Sequence, residues 1–108
     1  MENLIKDVSE LVDAEYNRAS QQYGRFHSGD HESIAVLAEE AEEANEEMQK
    51  VMEHLEQFWE LVKQDAADQN KQILLKHIYT DAVLVACEAI QVAAMAFKGV
   101  ATIKNRRS

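Results

Sequence analysis

The chain contains no proline, only three glycines and a single cysteine among its 108 residues. Without proline, nothing obliges a helix to kink or stop. The lone cysteine, Cys87, excludes an internal disulfide framework and a cysteine-based zinc site. It fits a reducing compartment, so a cytoplasmic location is expected. Basic residues are also scarce: 11 Lys and Arg stand against 20 Asp and Glu, for a net charge of -9. A nucleic-acid surface needs clustered Lys and Arg, so nucleic acid is not expected as a partner. Anionic lipid is disfavoured for the same reason. A phosphorylated ligand remains compatible with an acidic protein where metal ions stand between the two. The N-terminus carries no apolar core of the kind a secretory signal needs. The most apolar segment, "AVLVACEAIQVAAMAF" at 82–97, reads as too short and too interrupted for a membrane span.

What is present points to helices. Apolar residues make up 46% of the chain, too many for a disordered polymer. The length suits one domain, 1–108, with a modest core. No segment alternates with period two, and good helix formers dominate, so the fold class is all-α. The first helix is expected over 2–22, where Leu4, Ile5, Val8, Leu11, Val12, Ala19 and Tyr23 form one stripe. Gly24 suits the residue just past its end. "GRFHSGD" then reads as a loop, with Ser28 or Asp30 as the cap of the next helix. The second helix is expected over 31–63. There Ile34, Leu37, Ala41, Ala44, Met48, Val51, Met52, Leu55, Phe58 and Val62 recur at threes and fours. "QDAADQN" breaks the pattern, and a third helix is expected from near 71 to 98 or beyond. A basic tail, 101–108, is expected to fray. From Ala82 the third helix is apolar all round, which requires cover on every side. One short chain supplies too few helices for that. The expected architecture is therefore a bundle of long antiparallel helices completed by oligomerisation, as a homodimer or tetramer.

Glu88 and Gln91 sit inside that apolar segment, one turn apart on one face. A buried carboxylate needs a partner or takes up a proton. A polar network would supply one, and so would the second helix in another way. Its stretch "LAEEAEEANEEM" holds six glutamates and no basic residue. Glu39, Glu42 and Glu46 fall away from the apolar stripe and read as a solvated face. Glu40, Glu43 and Glu47 follow Val36 along the stripe's edge. If that row faces Glu88, several carboxylates converge, and like charges so close stay ionised together only when a cation joins them. Hard oxygen donors suit Mg²⁺, with Mn²⁺ as the alternative.

These residues resemble the all-α nucleotide pyrophosphohydrolases, the MazG-like superfamily that also includes dimeric dUTPases. The family signature is E-E-x-x-E on one helix and E-x-x-D on a later one. "EEAEE" matches the first half with Glu39, Glu40 and Glu43. "EAIQ" matches the second with Glu88, and Gln91 stands where the family has Asp. The wider texture, over roughly 31–98, is similar to small phage and prophage members. The resemblance implies Mg²⁺-dependent cleavage of a nucleoside triphosphate to a monophosphate and pyrophosphate. It implies metal ligands at Glu40, Glu43, Glu88 and Gln91, with Glu39 or Glu43 orienting the attacking water. Lys98, two turns past Gln91 on the same face, is a candidate for a substrate phosphate. Asp81, two turns before Glu88, is a candidate for the carboxylate that Gln91 does not supply. Trp59 is a candidate wall for the base, as are Tyr16, Tyr23, Phe26 and Tyr79. His27 and His31 beside the loop read as surface or capping residues.

Two other classes compete. A di-iron bundle needs E-x-x-H pairs, and the residues three before His31, His54 and His77 are Ser28, Val51 and Leu74. A catalytically degenerate helical dimer, kept for a structural or regulatory role, is the stronger rival because of Gln91.

Overall fold

The computed structural model describes residues 1–107. Three helices account for nearly all of them, and no strand occurs among the described residues. They are α1 (Glu2–Tyr23), α2 (Asp30–Lys63) and α3 (Asp68–Arg107). The all-α class follows from the composition: with no proline, only the two connections interrupt the chain.

Each connection has a local cause. α1 stops at Gly24, whose φ of 93° suits a residue without a Cβ and whose N–H closes on the Ser20 carbonyl at 2.9 Å. At the start of α2, the Ser28 hydroxyl and N–H both turn to the Glu32 carboxylate, at 3.0 and 3.3 Å. Ser28 therefore engages a side chain in the first turn of α2, and Asp30 is occupied elsewhere. α2 ends as Asp65 turns to a φ of 50°, a left-handed value that Asp tolerates, while Ala66 N–H reaches back to the Leu61 carbonyl. Only 64–67 separate α2 from α3, so the helical part of "QDAADQN" begins at Asp68 rather than near 71.

α3 runs on past Lys98 to Arg107, so the basic residues near its end are helical. Arg106 forks onto the Asp30 carboxylate, with bonds of 2.9 and 3.0 Å. That ion pair joins the last turn of α3 to the first turn of α2.

Two compact units divide the described chain. The first is Met1–Ala41 with the residues from Glu88 onward, and the second is Glu42–Cys87. In the first, α1 and the ends of α2 and α3 pack together. Gly99 lies against Ser33, and a Cβ placed there would sit 3.6 Å from the Ser33 hydroxyl. Tyr16 meets Phe97 edge-on, with ring centroids 4.8 Å apart, and its hydroxyl donates to the Arg25 carbonyl at 3.0 Å. In the second unit, a helical hairpin, His54 hydrogen-bonds Asp81 at 2.6 Å and stacks on His77.

Little of the chain is buried. Ala19 and Ala94 are the buried apolar residues, and no large side chain is fully enclosed among those described. On α2, Met48, Met52, Leu55, Trp59 and Val62 are all exposed. Their spacing alternates four and three, the seam of a coiled coil. The apolar part of α3 is equally open: Val83, Leu84, Phe97 and Val100 are each close to half exposed. By length and composition α3 is also long and apolar enough to cross a membrane, against the sequence reading. Only 11% of its most apolar window is buried within the chain. A core helix of a soluble assembly meets the same criterion.

Candidate functional site

Glu40 on α2 and Glu88 and Gln91 on α3 belong to the first unit and face one another. Carboxylate oxygens of Glu40 and Glu88 lie within 4.8 Å of each other. Glu43 lies one turn beyond Glu40 on the same helix and falls in the second unit. Gln91 lies between the carboxylates. In the amide orientation that suits its neighbours, its nitrogen is 2.9 Å from Glu40 Oε2 and 3.2 Å from Glu88 Oε2. The opposite orientation would set an amide oxygen against two carboxylate oxygens. The helix periodicity explains the grouping: Glu88 and Gln91 are three apart, as are Glu40 and Glu43, so each pair shares a face.

The donor set is all oxygen when the Gln91 amide turns its carbonyl inward, and it fits a hard divalent cation. The two carboxylates of Glu40 and Glu88 and a neutral amide oxygen leave positions for substrate oxygens. Both carboxylates are half-buried.

Beside it, the first unit holds a cavity of about 310 Å³. Glu40 and Gln91 form one part of its wall, and Met95 and Lys98 continue it along α3. α1 contributes Glu15, Arg18, Ala19 and Tyr23. His27, from the loop, and Glu32 and Val36, from α2, complete the lining. The carboxylates of this cavity have partners. Glu15 takes a two-point ion pair from Arg18, whose guanidinium holds the Glu15 carboxyl below its ordinary range. Glu32 accepts from Ser28.

His27 is not the surface residue that its loop position suggests. It is 5% exposed, with its N–H bonded to Thr102 Oγ1 at 2.9 Å and its Nδ1 2.6 Å from Ser33 Oγ. Thr102 in turn donates to the Lys98 carbonyl at 2.8 Å. Burial first, then the nearby Lys98 charge, hold the His27 imidazole below its ordinary range, and Glu32 opposes them. His31 is exposed, as expected.

The remaining candidates are placed as follows. Lys98 is buried and lines the cavity. Glu39 is exposed. Glu47 is salt-bridged to Lys50 at 3.2 Å. Asp81 belongs to the second unit and is engaged by His54. It precedes Glu88 by seven residues on α3, roughly 10 Å of helix. Trp59 lies on the exposed α2 seam of the second unit. Tyr23 is the aromatic at the cavity, and Tyr16 serves to tie the loop. His27, Arg18 and Thr102 were not singled out by their sequence context. "FHS" in a polar loop carries no sign that its histidine is enclosed by a threonine 75 residues away.

Compared with protein-family models, curated proteins and solved structures, the chain matches none.

Proposed function

We propose that the protein is a Mg²⁺-dependent nucleoside triphosphate pyrophosphohydrolase of the MazG-like kind, working in the cytoplasm as a homo-oligomer. One observation carries this: Glu40, Glu88 and Gln91 face one another across α2 and α3 beside a cavity that also contains Lys98. Glu40, Glu43 and Glu88 would hold Mg²⁺ or Mn²⁺, with the Gln91 carbonyl as a neutral fourth donor. Such an ion supplies charge neutralisation for the triphosphate and electrophilic activation of phosphorus.

The chain's own groups do the rest. Gln91 turns its amide so that oxygen replaces nitrogen at the carboxylates. Glu43, or Glu39 beside it, accepts a hydrogen bond from the attacking water and takes its proton. Lys98 meets a phosphate oxygen with a charge-assisted bond. Tyr23, at the cavity, offers a flat wall to the base. Substrate phosphates supply the negative oxygens that an Asp at 91 would otherwise provide.

The competing reading is a degenerate dimer, and the same amide favours it. A nitrogen that bridges Glu40 and Glu88 does without an ion what an ion would do. A panel of canonical and modified nucleoside triphosphates, with Mg²⁺ or Mn²⁺, separates the two. Release of pyrophosphate that is lost in chelator and in Glu88→Gln supports the enzyme. No turnover of any triphosphate, with folding and association indifferent to metal, supports the degenerate dimer.

A further inference from the structure

We propose that the cavity of the first unit contains an anion subsite, built by His27 and Lys98, that binds a phosphate group without a metal ion. Both residues line the cavity, and both are more than nine-tenths buried, at 5% and 6% exposure. His27 Nε2 is buried and meets no partner. An unpaired buried donor is costly, and a bound acceptor removes that cost. Lys98 brings a cation to the same cavity wall.

The tautomer follows from the partners. If the Ser33 hydroxyl donates to Nδ1, the imidazole proton sits on Nε2, where it is available to an acceptor. Lys98 adds a full positive charge beside that ring, and the two residues are mechanically linked. Thr102 accepts from the His27 backbone and donates to the Lys98 carbonyl, so the loop and α3 hold both groups in register.

Geometry selects the ligand class. A phosphate offers three oxygens, enough for an imidazole N–H and an ammonium together. Glu15 and Glu32, which also line the cavity, are engaged by Arg18 and Ser28. Arg18 is partly neutralised by Glu15 and serves the rim. The subsite is distinct from the carboxylate cluster. Lys98 follows Gln91 by seven residues, roughly 10 Å along α3. It stands whether or not Glu40 and Glu88 ever hold an ion. If they do, it takes the end of the triphosphate farthest from them.

The test is a titration of the full chain with inorganic pyrophosphate in the presence of a chelator, followed by nitrogen-detected NMR of the His27 ring. Saturable movement of the Nε2 resonance is expected, together with an upward shift of the His27 pKa, since a bound anion opposes the Lys98 charge. Orthophosphate should do the same more weakly. Lys98→Met should weaken pyrophosphate binding by about tenfold or more. His27→Asn, which keeps a polar group toward Ser33, should weaken it as well. The wild-type titration needs no variant to fold. No movement of His27 with millimolar pyrophosphate would overturn the proposal. So would an equal response to acetate or to chloride at matched ionic strength. Because chelator is present throughout, a negative result leaves the metal reading intact. That reading fails separately, by calorimetry with Mg²⁺.

Discussion

One terminal atom of the Gln91 amide lies 2.9 Å from Glu40 Oε2 and 3.2 Å from Glu88 Oε2, and with nitrogen at that position the amide donates to both. A neutral side chain thereby holds two carboxylates together with two N–H bonds. A metal ion at the same place would require the reverse face of the amide. Gln91 is therefore a two-position group: nitrogen inward without an ion, oxygen inward with one. The amide resonances of Gln91 should move on adding Mg²⁺ or Mn²⁺ even where the backbone does not.

Glu88→Gln tests the ion itself. At a concentration one hundred times Kd, a bound ion stabilises the folded state by about 2.7 kcal/mol. Wild type should gain that stability in thermal melts with Mg²⁺ and nucleotide. The variant should melt at the same temperature in metal and in chelator, with its circular dichroism unchanged. A metal-dependent rise that survives in Glu88→Gln would remove Glu88 from the ligand set.

An exposed apolar seam is the ground for proposing a second copy. Met48, Met52, Leu55, Trp59 and Val62 on α2 are exposed at coiled-coil spacing. Leu55→Lys and Trp59→Lys should each shift the sedimentation of the protein toward monomer. Each should also cost about 1.5–3 kcal/mol at a concentration where the wild type is associated. If nothing covers the seam, these are surface substitutions worth about 0.5 kcal/mol or less.

The Asp30–Arg106 pair gives a pH dependence. Hydrogen bonding from Arg106, then its charge, lowers the Asp30 pKa. A depressed carboxylate pKa contributes stability that is complete above the ordinary Asp range and lost as pH falls through the folded-state value. Protection factors for the amides in the last turn of α3 should therefore fall in acid, below the range where unfolded Asp titrates. Asp30→Asn should show that lower protection already at neutral pH and lose the dependence. Both side chains are exposed, so the effect is local to the helix end and falls with salt.

Much of this was legible in the sequence, and the reasons differ by element. The two connections followed from Gly24 and from "QDAADQN", because turn chemistry is local. The convergence of Glu40 with Glu88 followed from helical spacing plus the oddity of a carboxylate in an apolar run. The Asp30–Arg106 pair did not, because its partners lie 76 residues apart. The enclosure of His27 by Thr102 and the engagement of Asp81 by His54 are likewise contacts between distant positions. Periodicity shows which face a residue occupies, never which partner reaches it.

Gly99 is helical, and its substitution separates backbone from packing. Alanine in a helix interior is favoured over glycine by about 1 kcal/mol. The new Cβ would sit 3.6 Å from Ser33 Oγ, an ordinary contact. Gly99→Ala should therefore raise the denaturation midpoint by that amount. Destabilisation in urea would show instead that Ser33 and its bond to His27 depend on the missing methyl group.

Gln91→Asp decides what position 91 does. In chelator the variant places a third carboxylate against Glu40 and Glu88 and deletes both N–H bonds. Losing hydrogen bonds to charged acceptors costs about 1.5–3 kcal/mol each before relaxation, and like-charge repulsion adds to it. The variant should therefore melt lower than wild type without metal. With Mg²⁺ the order should reverse, because a charged oxygen replaces a neutral one in the ligand set. Calorimetry on the free protein should show Mg²⁺ affinity rising about tenfold or more, equivalent to about 1.4 kcal/mol. Wild type should need nucleotide to reach the same occupancy, since phosphate oxygens then supply the charge that Gln91 does not. If the variant is destabilised equally in metal and in chelator, Gln91 works only as a bridge between Glu40 and Glu88. The degenerate-dimer reading would then be the better account of this chain.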